Sequence, residues 1–279
     1  MSVLHAILLG IAQGLTEFLP VSSSGHLQII PWLAGWDDFE GRDDLKRAFD
    51  VALHLGTLLG LAACLRREVV ALLREGVGAT ARRHRPLSIE ARLGWLLVLA
   101  TVPAGVVGVG LGSVIDEADD HVWLTAVMLA GFGVLLWWAD RRREGGREMG
   151  GFGVGDALAL GLAQACSLQP GVSRSGVIMT AGRLRGFDRE AATRLAMLMS
   201  LPVIAGAGLY SFIDIGGWAG IPADARAGFL WGTVASAVTG FATVKGLLAL
   251  VRRHSFGPFA LYRVMVAATV LTLIAASVR

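Results

Sequence analysis

Two short stretches hold the residues of this chain best suited to chemistry. The first contains Gln13, Glu17, Ser22, Ser23, Ser24, Gly25 and His26; the second contains Gln164, Ser173, Arg174, Ser175 and Gly176. Gln13 and Glu17 are four apart, so they share one face of a helix. The serines lead into Gly25 and His26, where a second helix would begin. Serine at a helix start offers hydroxyls, and the first-turn N–H groups and positive dipole end point outward. That construction binds anions, phosphate above all. The second stretch repeats it with Arg174 inserted, and a guanidinium fork suits phosphate. A hydroxyl, an imidazole, a carboxylate and a guanidinium around an anion hole outline a phosphoryl-transfer site.

Ser23 and His26, three apart, place an imidazole where it can assist the hydroxyl. Glu17 can act as base, orient His26, or hold a divalent cation that bridges phosphate oxygens. Plainer roles stand beside these. Glu17 can be a structural partner for Arg174, and Ser22, Ser24, Ser173 and Ser175 can be helix caps. His26 can be a cap or core histidine, and Gln13 and Gln164 can satisfy broken-helix backbone. His54, four after Asp50 in FDVALHLG, reads as a structural pair near the outer interface.

The frame that must position these residues is a membrane frame. Of 279 residues, 54% are apolar, 37 more are glycine and only 17% are charged; mean hydropathy is +0.61. A soluble domain carries about 25% charged residues, and there is too little polar surface here to cover a globule in water. The net charge of +3 suits positive-inside sorting better than nucleic-acid binding, so no nucleic-acid partner is expected. Cys64 and Cys166 lie alone in apolar stretches, which excludes a disulfide framework or a CxxC metal site. No charged n-region with a cleavage site opens the chain, so no removable signal peptide is read.

Six segments, about 50–65, 93–111, 121–139, 191–213, 227–250 and 258–277, are long and apolar enough to cross about 30 Å of hydrocarbon. Residues 3–33 and 154–183 are apolar too, but Pro20 and the Ser-Ser-Ser-Gly run interrupt one, and Gln169-Pro170-Gly171 interrupts the other. Proline removes a helix hydrogen bond, so each reads as two half-helices that dip in and return. The expectation is one all-α polytopic membrane domain over 1–279, with six transmembrane helices and two re-entrant hairpins.

Seven arginines against three glutamates make 66–92 a basic cytoplasmic loop; Arg141, Arg142, Arg143 and Arg147, and Arg252 and Arg253, mark further inner segments. Arg183, Arg185, Arg189 and Arg194 join them. The acidic segments 37–44 and 116–120 fall outside, as do both chain ends. Trp137 and Trp138 beside Arg141 form an interfacial anchor. Sliding the chain by 151 residues aligns 6–25 with 157–176 and makes nine of 20 positions identical, among them Gln13/Gln164, Ser22/Ser173, Ser24/Ser175 and Gly25/Gly176. With repeat one at 1–140 and repeat two at 150–279, the hairpins enter from opposite sides. This is an inverted repeat, whose broken helices meet near the midplane, so the two Ser-rich tips should face each other.

These motifs resemble those of the bacterial undecaprenyl-diphosphate phosphatases, also called bacitracin-resistance proteins. The family's (E/Q)-x-x-x-E motif stands here as Gln13-Gly14-Leu15-Thr16-Glu17, continuing as FLPVSSSGHL through Ser23 and His26. Its P-G-x-S-R-S motif stands as Pro170-Gly171-Val172-Ser173-Arg174-Ser175. FDVALHLGT at 49–57 also looks familial, and length and hydropathy match over nearly the whole chain. The resemblance implies a hydrolase of the C55 polyprenyl diphosphate, assisted by Mg2+ or Ca2+, that recycles the lipid carrier for peptidoglycan synthesis. It implies Ser23 as nucleophile or phosphate ligand and His26 as its acid/base. Glu17 would be the metal or base carboxylate, with Gln13 beside it, and Arg174 the diphosphate clamp.

Position 13 is Gln where many relatives have Glu. Position 178 is Ile where the motif usually ends in Thr, with Thr180 nearby. The site is expected to open to the outer face of the bacterial inner membrane, with the polyprenyl tail in a lipid-facing groove between hairpins. A homodimer is compatible with this reading. The rival is a transporter or flippase for an anionic lipid, since inverted repeats with broken helices serve transport. A hydroxyl beside a His and a Glu favours hydrolysis, and a dual role is the third reading.

Overall fold

The computed structural model describes residues 1–39, 41–81, 87–119, 121–142 and 146–277, with side chains omitted at 80, 81 and 111–119. Arg82, Arg83, Arg85 and Arg143 of the basic tracts, and the end of the 116–120 segment, lie outside the described residues.

Among the described residues every regular element is helical. The helices are α1 (Val3–Thr16), α2 (Ser23–Ala34), α3 (Asp43–Cys64), α4 (Arg66–Ala81), α5 (Ile89–Asp119), α6 (Val122–Arg142), α7 (Val154–Cys166), α8 (Arg174–Leu184), α9 (Arg189–Asp214), α10 (Gly217–Gly220), α11 (Ala223–Val251) and α12 (Gly257–Ala275). Six of them, α3, α5, α6, α9, α11 and α12, are long and apolar enough to span a bilayer. These are the six segments that hydropathy alone picks out. The basic segment 66–92 contains α4: Arg, Glu, Ala and Leu are good helix formers, and its Val69 and Leu72 pack on the core.

The two interrupted segments fold as helix, break, helix. α1 and α2 flank a break at 17–22, and α7 and α8 flank one at 167–173. The helices that follow are in register, since α2 starts at Ser23 and α8 at Arg174, 151 positions later, although the second break is one residue longer. α1 packs on α11, and its counterpart α7 packs on α5. Glycine makes both contacts possible. A Cβ on Gly10 would run into the Gly232 carbonyl of α11, and one on Gly161 would lie 2.5 Å from the Ala100 carbonyl of α5. Small residues let backbones approach where lipid supplies no hydrophobic drive between helices.

At the end of the molecule remote from the breaks, buried Asp140 gathers four elements. It takes Arg189 Nε of α9 at 2.7 Å and the Phe256 N–H ahead of α12 at 3.0 Å, and pairs with Arg183 of α8. These arginines therefore tie helices together.

Candidate active site

Each break ends in a serine held at positive φ. Ser22 sits at φ 73° and ψ 95°, Ser173 at φ 72° and ψ 111°, and each hydroxyl accepts the N–H three residues on, from Gly25 and Gly176. Non-glycine residues rarely adopt positive φ, and such conformations cluster where binding sites hold them in place. The cap turns the chain sharply, so the first-turn N–H groups of α2 and α8 open toward the break. Ser24 and Ser175 Oγ stand 3.4 and 3.3 Å from the Ser22 and Ser173 hydroxyls.

The two tips meet. Ser175 Oγ of the second donates to the Leu19 carbonyl of the first at 3.0 Å, and Arg174 Nη1 donates to Glu17 Oε1 at 3.1 Å. Glu17 is the hub. Its Oε2 accepts Ser23 Oγ at 2.5 Å and Gln13 Nε2 at 2.9 Å, and His54 Nε2 lies 3.3 Å away. A buried carboxylate is costly unless surrounded by donors and a cation, and this one has both. Arg174 keeps 22% of its side chain exposed while Nη1 of its fork is held by Glu17.

His26 takes a different place from the one its spacing suggests. Its Nδ1 meets the Ser22 carbonyl at 2.7 Å and its Nε2 meets the Tyr262 hydroxyl at 2.8 Å, with the two rings stacked. A carbonyl only accepts, so Nδ1 carries the proton and Nε2 takes the tyrosine O–H. The Ser23 proton is directed to Glu17 instead. His54 is drawn into the cluster: its Nδ1 bonds the Asp50 backbone carbonyl at 2.7 Å, which turns Nε2 toward Glu17. Thr180 Oγ1 donates to the Gly176 carbonyl of its own helix, and Gln164 Nε2 reaches the Ala100 carbonyl at 3.5 Å.

Arg263, in the apolar run of α12, is fully buried. It donates to the Leu129 carbonyl of α6 and to Pro20 of the first break at 3.0 and 3.3 Å. It also reaches Gly171 and Val172 of the second break at 2.9 and 3.0 Å. Pro20 and Gly171 are equivalent positions of the repeat, so one guanidinium bridges both tips. Sequence reading passes over it and Tyr262. The available signal was a lone Arg seven residues into an otherwise apolar span, which lipid tolerates only with partners.

A divalent cation would find a short donor set. Among the described residues no three of His, Cys, Asp and Glu gather to hold one. The Gln13 Oε1, however, is a buried oxygen with no hydrogen-bond partner, beside the Glu17 carboxylate. Oxygen donors in that number fit Mg2+, which commonly takes one or two protein ligands and completes its shell with water and substrate phosphate.

The fold and site together define a multi-pass membrane protein with an acid, a hydroxyl and a guanidinium converging between two helix N-termini. A family model described as Bacitracin resistance protein BacA matches residues 6–269. The chain is 42% identical over 276 residues to an undecaprenyl-diphosphatase of Pelotomaculum thermopropionicum, covering 99% of this chain and 98% of the relative. It is 39% identical over 282 residues to one from Thermomicrobium roseum (98% and 99%) and 41% over 273 to one from Geobacter sulfurreducens (97% and 98%). The chain belongs to the BacA bacitracin-resistance family.

Proposed function

We propose that the Glu17–Ser23–Arg174 cluster is where this chain hydrolyses undecaprenyl diphosphate to undecaprenyl phosphate and inorganic phosphate. That activity returns the lipid carrier to peptidoglycan synthesis, and the family takes its name from the bacitracin resistance that accompanies it. The observation that carries the assignment is the single carboxylate shared by a hydroxyl from one tip and a guanidinium from the other.

Ser23 Oγ attacks the terminal phosphorus while its proton passes to Glu17 Oε2. The bridging P–O bond breaks, and the polyprenyl phosphate leaves with that oxygen. Water then cleaves the serine phosphate, with Glu17 returning the proton to Ser23. Arg174 and the first-turn N–H groups of α2 and α8 hold the charge that develops on the phosphoryl oxygens. Gln13 and Glu17 are the residues that would hold Mg2+ or Ca2+, which when bound neutralises charge on the diphosphate. His54 and Gln13 fix the carboxylate, while His26 and Tyr262 line the start of α2.

The arginine distribution supports a placement in the cytoplasmic membrane with both termini and the mouth of the site on the outer face. The matched caps at Ser22 and Ser173 support reading the two helix pairs as re-entrant halves of an inverted repeat. The test is phosphate release from C55 diphosphate by purified protein, with and without EDTA. Ser23→Ala should lower kcat at least about 1,000-fold, as loss of a nucleophile does, and Glu17→Gln comparably. Full activity in Ser23→Ala would contradict the assignment. Lipid movement without phosphate release by the wild type would put the protein among the transporters.

A further inference from the structure

Outside the polar cluster, the described residues form a groove of about 530 Å3 walled by α3, α4, α5 and α9. Leu58 and Ala62 of α3, Leu73 and Gly76 of α4, Trp95 of α5 and Leu201 of α9 line it, and no charged side chain does. Several of these apolar walls, Leu73 and Trp95 among them, are exposed.

Its position is more telling than its greasiness. Leu58 is one turn along α3 from His54, about 6 Å by helical rise, and on the same face. His54 in turn lies 3.3 Å from Glu17. On the other side, α5 climbs from Leu97 and Val98 in the groove to Gly108, where a Cβ would stand 3.8 Å from Leu168 of the second break. Two walls of the groove therefore lead to the two tips. A lipid with its diphosphate between the tips has an apolar path for its chain along α3 toward α4.

We propose that this groove seats the polyprenyl tail of the substrate and makes the enzyme selective for long chains. The proposal rests on the hydrolytic reading above and assigns that site its tail-binding half. It also moves the tail from a groove between the two helix pairs, where the sequence points, to the groove walled by α3, α4, α5 and α9. Gly76 has open space where a side chain would be, with nothing within 4 Å, so bulk there fills the groove without displacing protein. Ala205 of α9 lines the facing wall and is exposed.

The test compares C55 diphosphate with a much shorter C15 diphosphate in wild type, Gly76→Phe, Ala205→Phe and a control. The control is Gly131→Phe, on a part of α6 where a Cβ also meets nothing within 4 Å. Blocking the groove should raise KM for the C55 substrate about tenfold, the equivalent of roughly two methylenes returned to a less favourable place. KM for the C15 substrate should change less than about twofold, and the control should match wild type on both. An unchanged C55 KM in both Gly76→Phe and Ala205→Phe overturns the proposal, as does an equal rise for both chain lengths. If wild type releases no phosphate from either substrate, the hydrolytic reading itself has failed, which is a different result from a groove that does not matter.

Discussion

At the first break Ser22 caps α2 at φ 73°, and at the second Ser173 caps α8 at φ 72°, each accepting from a glycine N–H three residues on. The backbone device is the same, yet three of the equivalent positions that differ separate the chemistry of the tips. Glu17 stands opposite Leu168, Ser23 opposite Arg174, and His26 opposite Val177. The first tip thus holds the acid, the hydroxyl and the imidazole, and the second holds the cation. Neither tip alone can ionise its charged group cheaply at this depth, because a lone buried charge costs several kcal/mol or more. Brought together, Glu17 and Arg174 satisfy each other across the two tips. The same serine-capped turn stands at both breaks, with different polar side chains around each.

That division can be broken most severely at Arg263, the residue both tips share. Removing it strands three buried carbonyls, of Pro20, Gly171 and Val172, each worth about 1–3 kcal/mol when unsatisfied, and takes a second donor from Leu129 within α6. Arg263→Met should lower stability by about 3 kcal/mol or more, seen as a large drop in melting temperature in detergent and loss of phosphate release. A variant as stable as wild type would mean that the tips hold together without it. The glutamines sharpen the contrast next. Gln13 donates to the Glu17 carboxylate, whereas its counterpart Gln164 reaches only a backbone carbonyl. Gln13→Leu should cost about 1.5–3 kcal/mol of transition-state stabilisation, roughly tenfold to a hundredfold in kcat/KM. Gln164→Leu should stay within about threefold, and equal losses would erase the distinction.

The smallest effect is expected at Tyr262. Tyr262→Phe keeps the ring stacked on His26 and removes only the hydroxyl on Nε2. A net hydrogen bond of about 1 kcal/mol predicts roughly a fivefold lower kcat with KM unchanged. A wild-type kcat would place His26 outside the site's working parts.

Much of this frame was legible in the sequence, for identifiable reasons. Span length and hydropathy mark the six long helices because lipid admits few alternatives. Pro20 and Pro170-Gly171 mark the breaks because proline cannot donate to a helix. The offset of 151 foretold that two alike turns would be found, and Glu17 and Arg174 stood out as charges in apolar surroundings. What local pattern could not supply was reach across the fold. Spacing paired His26 with Ser23 and His54 with Asp50, since only neighbours on one helix are visible that way. The fold instead turns His26 toward Tyr262, 236 residues away, and adds Glu17 on the second ring nitrogen of a His54 that stays bonded to the Asp50 carbonyl. Arg263 looked like one polar residue in a greasy helix, and its meaning lies in the carbonyls of two distant breaks.

The central claim is that the tips form one working unit across Glu17 and Arg174. A double-mutant cycle of Glu17→Gln and Arg174→Gln, read as kcat/KM for C55 diphosphate, tests it directly. Groups that act together are strongly non-additive, so the double variant should be no worse than the weaker of the two singles. Losses that simply multiply would show two independent contributions and contradict the account.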